Sequence, residues 1–139
     1  GADANAANAD GWTPLMAAAQ GGEGDVVKVL LEKGAMPDAA NKDGWTALMA
    51  SAEKGEEGVV KALLDGGAKP NARTKDGWTA LMSAADKGHA RMAELLVERG
   101  ADPNLKSSEN RTAMAYAERG GHTDVVEALG KTKPAAGSR

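Results

Sequence analysis

Asp43-Gly44-Trp45-Thr46-Ala47-Leu48-Met49 returns unchanged as Asp76-Gly77-Trp78-Thr79-Ala80-Leu81-Met82, 33 residues later. One period upstream the phrase reads Asp10-Gly11-Trp12-Thr13-Pro14-Leu15-Met16, and one period downstream it decays to Glu109-Asn110-Arg111-Thr112-Ala113-Met114. A second phrase keeps the same beat in Gly1-Ala2-Asp3, Gly34-Ala35-Met36-Pro37, Gly67-Ala68-Lys69-Pro70-Asn71 and Gly100-Ala101-Asp102-Pro103-Asn104. Two motifs on one period define a whole unit, and units of this length stack in a row instead of closing into a globule.

Each unit carries its own helix signals. Thr13, Thr46, Thr79 and Thr112 are placed as N-caps, with a hydroxyl to accept from an otherwise unpaired backbone N–H, and Pro14 suits a first helical position. The first helix of unit one is expected through Leu15-Met16-Ala17-Ala18-Ala19, stopping at Gly21-Gly22, with a second opening at Asp25 and ending at Gly34. Val26, Val27, Leu30 and Leu31 fall at the spacing of one buried face. Units two and three repeat this with Val59, Val60, Leu63 and Leu64, then Met92, Leu95, Leu96 and Val97. Gly58 lies inside the second helix of unit two, costs about 1 kcal/mol against Ala, and marks that helix as the first to fray.

The boundaries follow the period. Residues 1–9 read as the tail of a preceding unit, which favours a segment cut from a longer array over a native stub. Units span 10–42, 43–75 and 76–108, and 109–130 forms a C-terminal cap in which Gly130 stands where earlier units have Leu31, Leu64 and Val97. The array as a whole is residues 1–130, and 131–139, KTKPAAGSR, has the composition of a disordered tail.

The apolar residues are mostly Ala, Leu, Val and Met, with no Phe and a single Tyr, which suits thin helical layers. Net charge is −3 and both signs are interspersed, so the basic footprint of a nucleic-acid binder is missing. Cysteine is absent, which removes disulfides, thiolate metal sites and cysteine nucleophiles. No signal peptide and no apolar run of membrane-spanning length is visible, so a soluble, intracellular monomer with no membrane contact is expected.

The units resemble the ankyrin repeat. The tetrapeptides Thr13-Pro14-Leu15-Met16, Thr46-Ala47-Leu48-Met49, Thr79-Ala80-Leu81-Met82 and Thr112-Ala113-Met114-Ala115 match its Thr-Pro-Leu-His, with Met or Ala in place of His. Gly88-His89 and Gly121-His122 keep its Gly-His, whereas units one and two read Gly22-Glu23 and Gly55-Glu56. The resemblance implies an all-α solenoid of stacked antiparallel helix pairs with β-hairpin fingers between consecutive units. It also implies a concave groove that binds a protein or peptide, and no catalytic residues. Asn71 and Asn104 are expected to hold their own turns through side-chain to backbone hydrogen bonds.

The candidate chemistry is sparse. His89 and His122 sit one period apart, and with helices about 8–10 Å apart two such rings do not share a zinc held at about 2 Å from each. Ser51, Ser83 and Thr123 lack a paired base and a nucleophile elbow, and the glycines mark helix ends in place of a phosphate loop. No enzyme activity, metal or cofactor is expected. The partner-reading residues are expected to be Trp12, Trp45 and Trp78 with Arg111 in the fourth place, one row every 33 residues, and the rim charges Lys42, Asp43, Lys54, Lys75, Asp76 and Lys87. Against this stands a purely structural role, with each indole covering the neighbouring finger. Three functions compete: an interaction scaffold, a structural or regulatory segment of a larger protein, and an enzyme. A reconstructed array is a further origin for so regular a sequence.

Overall fold

The computed structural model describes residues 3–131. Among these the chain forms α1 (Pro14–Gln20), α2 (Gly24–Glu32), α3 (Ala47–Lys54), α4 (Glu57–Asp65), α5 (Ala80–Lys87), α6 (Ala90–Glu98), α7 (Ala113–Arg119) and α8 (Thr123–Lys131). Helices this short are marginal alone in water, so packing must hold them. The start signals work as the sequence implies. Thr13, Thr46, Thr79 and Thr112 each accept the amide three residues on, from Met16, Met49, Met82 and Ala115, at 3.2–3.3 Å.

Each pair is an antiparallel hairpin, α1 with α2, α3 with α4, α5 with α6 and α7 with α8, and the first helices stack in the order α1, α3, α5, α7. In the second layer α2 packs on α4 and α6 on α8. The core is one continuous cluster running the length of the array, in which Leu15, Leu48 and Leu81 recur beside Met16, Met49 and Met82, and Val27, Val60, Leu63 and Leu96 come from the second helices. Ala dominates the rest, which lets the layers approach closely.

Three expectations change. The buried face of α2 does not include Val26, which is exposed together with Val29. Its counterpart Val59 is buried because α2 lies against it, and no helix among the described residues holds that position against α2. Lys131, expected to open the tail, is the last residue of α8, because the helix continues through Gly130. The remaining tail, 132–139, and residues 1–2 lie outside the described residues.

The fingers are turns without strand ladders: a single isolated antiparallel bridge, Ala40 with Thr46, is found among the described residues. They are joined in another way. The amides of Lys42, Lys75 and Ser108 donate to the carbonyls of Asp10, Asp43 and Asp76 at 3.0, 3.0 and 2.7 Å, linking each finger to the one before.

Candidate functional site

The row of tryptophans is built by the turn that precedes it. Gly44 has φ +87°, and a Cβ there would meet the Thr74 backbone at 2.9 Å, so both conformation and space require glycine. In the fourth turn Asn110 holds φ 60°, a conformation Asn tolerates better than other side chains. The apparent decay of the motif therefore preserves its geometry.

A residue two positions before the Asp completes each turn. Asn8 Oδ1 accepts the amides of Asp10 and Trp12, and Asn41 Oδ1 those of Asp43 and Trp45, at 2.9–3.0 Å. Thr74 Oγ1 does the same for Asp76 and Trp78 at 3.2 and 3.1 Å. Ser107 Oγ accepts from Glu109. The periodic signal was present in the sequence, as a short side-chain acceptor every 33 residues, but the residue type changes from Asn to Thr to Ser and so hides from a search for identities.

Trp12, Trp45 and Trp78 are all half-buried and packed against the core cluster. They are not equivalent. Trp78 Nε1 donates to Ser83 Oγ at 2.6 Å, and its ring meets Tyr116 edge-on with centroids 4.8 Å apart. Tyr116 in turn donates to Glu109 Oε1 and bonds the Ser107 hydroxyl at 2.7 Å. Ala17 and Ala50 stand where Ser83 stands, so the indole N–H groups of Trp12 and Trp45 have no side-chain acceptor in that place. Arg111, fourth in the row, pairs with Glu109 at 3.2 Å.

The charged candidates divide into two groups. Lys42, Asp43, Lys75 and Asp76 are exposed at the finger tips, where their main chains carry the finger-to-finger hydrogen bonds. Lys54 and Lys87 lie in the last turns of α3 and α5, where a cation complements the helix dipole. An eight-residue helix separates the two groups by about 12 Å, so the structure does not gather them into one cluster.

The histidines serve the scaffold. His89 Nε2 donates to the Glu53 carbonyl and His122 Nε2 to that of Asp86, both at 2.9 Å, each reaching back to the first helix of the preceding unit. Asn71 departs from expectation. Asn71 does not close its own turn; it donates to Gly100 O at 3.0 Å and accepts the Asp102 amide at 2.7 Å, both in the next unit. Asn5 makes the same pair of bonds with Gly34 and Met36. A planar amide offers donor and acceptor side by side, which matches the carbonyl and amide the next tail presents.

A family profile described as Ankyrin repeats (3 copies) matches residues 1–74 and 57–136. The chain belongs to the ankyrin repeat family. No curated protein matches it. Ankyrin repeats are generally protein–protein interaction modules and are typically non-catalytic. No helix among the described residues of this ankyrin array is long and apolar enough to cross a membrane.

Proposed function

We propose that the array is a non-catalytic scaffold that binds a protein or peptide partner along the face carrying the tryptophan row. The observation that carries this reading is the unequal treatment of the three indoles. Trp78 spends its N–H and one ring edge inside the protein, whereas Trp12 and Trp45 keep theirs. A half-buried indole with a free donor is a frequent hot-spot anchor, since its ring is already oriented and its N–H gains a partner only on binding. Trp12 and Trp45 are therefore the anchors, and Trp78 and Arg111 support them. Lys42, Asp43, Lys75 and Asp76 form the rim and govern association rate and selectivity more than affinity, and Lys54 and Lys87 stand at the far end of the face.

On this reading residues 1–130 act as one array and as a monomer, without nucleic acid. The test is affinity capture with the array followed by titration of the captured protein against Trp45→Ala. Loss of about 2 kcal/mol or more of binding, with the variant still folded, supports the assignment. Unaltered affinity in the folded fraction makes the row mortar between units and favours a structural role within a larger protein.

A further inference from the structure

The two ends of the array differ in what their second helices present. On each second helix, positions at i, i+3, i+4 and i+7 form the face turned toward the preceding unit. In α4 these are Val59, Ala62, Leu63 and Gly66. A Cβ at Gly24 of α2 would touch Val59 at 3.9 Å, and one at Gly66 would touch Leu31 of α2 at 3.2 Å. The first of these positions is closed in every later unit: Val59 is 3% exposed, Met92 1% and Val125 0%. In α2 the same row is Val26, Val29, Leu30 and Lys33, and there Val26 is 43% and Val29 51% exposed.

The opposite face changes in the other direction. Leu31, Leu64 and Val97 are partly buried and packed against the core, Leu31 beside Gly66 of the following unit, but α8 carries Gly130 there. Thr123 in α8 stands where the earlier units have Gly24, Glu57 and Ala90. With Gly130 the far end of the stack lacks an apolar side chain that the earlier units carry, as suits a terminal repeat. The near end keeps Val26 and Val29 on its surface.

We propose that the Val26, Val29 and Leu30 face of α2 is a docking surface for one further helix pair of the same repeat type. Continuity with the seam between the first two units specifies this occupant, because the same positions in α4 are covered by α2 itself. Charge agrees: Lys33 stands where Arg99 stands in α6, and Arg99 pairs with Asp65 of the unit before it at 2.9 Å. An incoming helix with an acid in the place of Asp65 meets Lys33. Asn5 already supplies the matching tail contact to Gly34 and Met36. The C-terminal face of a second copy does not fit, since Gly130 stands in the place of the Leu31 side chain that meets Gly66, and the polar Thr123 in the place of the Gly24 that meets Val59. This surface is separate from the tryptophan row and does not depend on what that row binds.

The test places a copy of residues 34–66 directly ahead of Gly1 in the full chain, in phase because Gly67 and Gly1 are equivalent positions. The unfolding midpoint should rise by about 5 °C, and the amides of α2 should gain at least tenfold protection from hydrogen exchange. Val26→Glu with Val29→Glu should leave the midpoint of the original chain unchanged and abolish the gain in the extended one. An extended chain that melts with the original, and whose α2 exchanges at the original rate, overturns the proposal. So does a gain that survives the double substitution. Concentration-dependent dimerisation of the original chain that the double substitution removes would make a second copy the occupant instead.

Discussion

The seam between units three and four and the seam between units one and two are built from the same 33-residue template, yet of the two only the former ties the side chain of its tryptophan into a polar set that spans both units. At the later seam Trp78, Ser83, Ser107, Glu109 and Tyr116 form a connected set. At the earlier one Ala17 and Ala50 stand in the places of Ser83 and Tyr116, and neither has an acceptor to offer an indole N–H. The substitutions are few, but they convert a row of equivalent residues into one fixed member and two available ones. Repetition sets where the side chains stand, and the departures from it decide which are committed.

The largest expected effects compare one position along the stack. Leu96 and Leu63 are fully buried and Leu30, their counterpart in unit one, is half-buried. Leu96→Ala and Leu63→Ala should each cost about 3–5 kcal/mol, and Leu30→Ala less than about 2 kcal/mol, because less packing is lost where solvent already reaches. Denaturant midpoints measure the ratio. Equal costs at Leu30 and Leu96 would break the distinction between an open and a closed end.

Next in size is Tyr116. Its ring is buried and its hydroxyl joins Ser107 to Glu109. Tyr116→Ala should cost about 3 kcal/mol, and Tyr116→Phe about 1 kcal/mol by leaving the ring and removing the hydrogen bonds. A Phe variant as unstable as the Ala variant would shift the weight from packing to the polar set.

The tryptophans sharpen the comparison directly. Trp78→Ala should cost about 1–2 kcal/mol more than Trp45→Ala, the sum of one aromatic pair and one hydrogen bond. Double-mutant cycles of Trp78→Ala with Tyr116→Leu, which removes the ring, and with Ser83→Ala, which removes the acceptor, separate the two. Equal losses at Trp45 and Trp78 would remove the ground for treating Trp45 as free for a partner.

Much of this was legible in the sequence, and what was not has physical causes. The period fixed the stack, the threonines fixed four helix starts, and the i, i+4 leucines marked Leu63 and Leu96 as interior. Val26 misled because hydrophobic periodicity reports which face a helix would bury and is silent on whether a neighbour is there to bury it. Asn71 misled because a side chain next to a turn can bond across to the next unit as easily as within its own. The Tyr116 set was invisible because its members lie in two units and come together only when these stack. The charges named as a rim are all exposed, but a one-dimensional list cannot show that Lys54 and Lys87 lie a helix length away from the finger tips.

The smallest expected effect bears on α4, where Gly58 occupies the place that Arg91 holds in α6. The sequence marks Gly58 as a cost of about 1 kcal/mol inside a helix. The structure puts it second in a helix that begins at Glu57, in the first turn, where its backbone is only partly committed to the helical ladder. It is exposed, its φ is not positive, and a Cβ built there meets nothing within 4 Å. Ala is therefore compatible with the native backbone and acts by restricting the unfolded chain. Gly58→Ala should raise stability by about 0.5 kcal/mol, less than the interior value, and the gain should appear as slower exchange of the first amides of α4 before any shift of the global midpoint. Gly58→Arg does not copy the ion pair that Arg91 makes with Glu57 of the preceding unit at 3.5 Å, because the place of Glu57 in unit one is held by Gly24, so it should contribute little beyond the Ala variant. Loss of stability on Gly58→Ala would mean that the start of α4 needs the freedom of glycine.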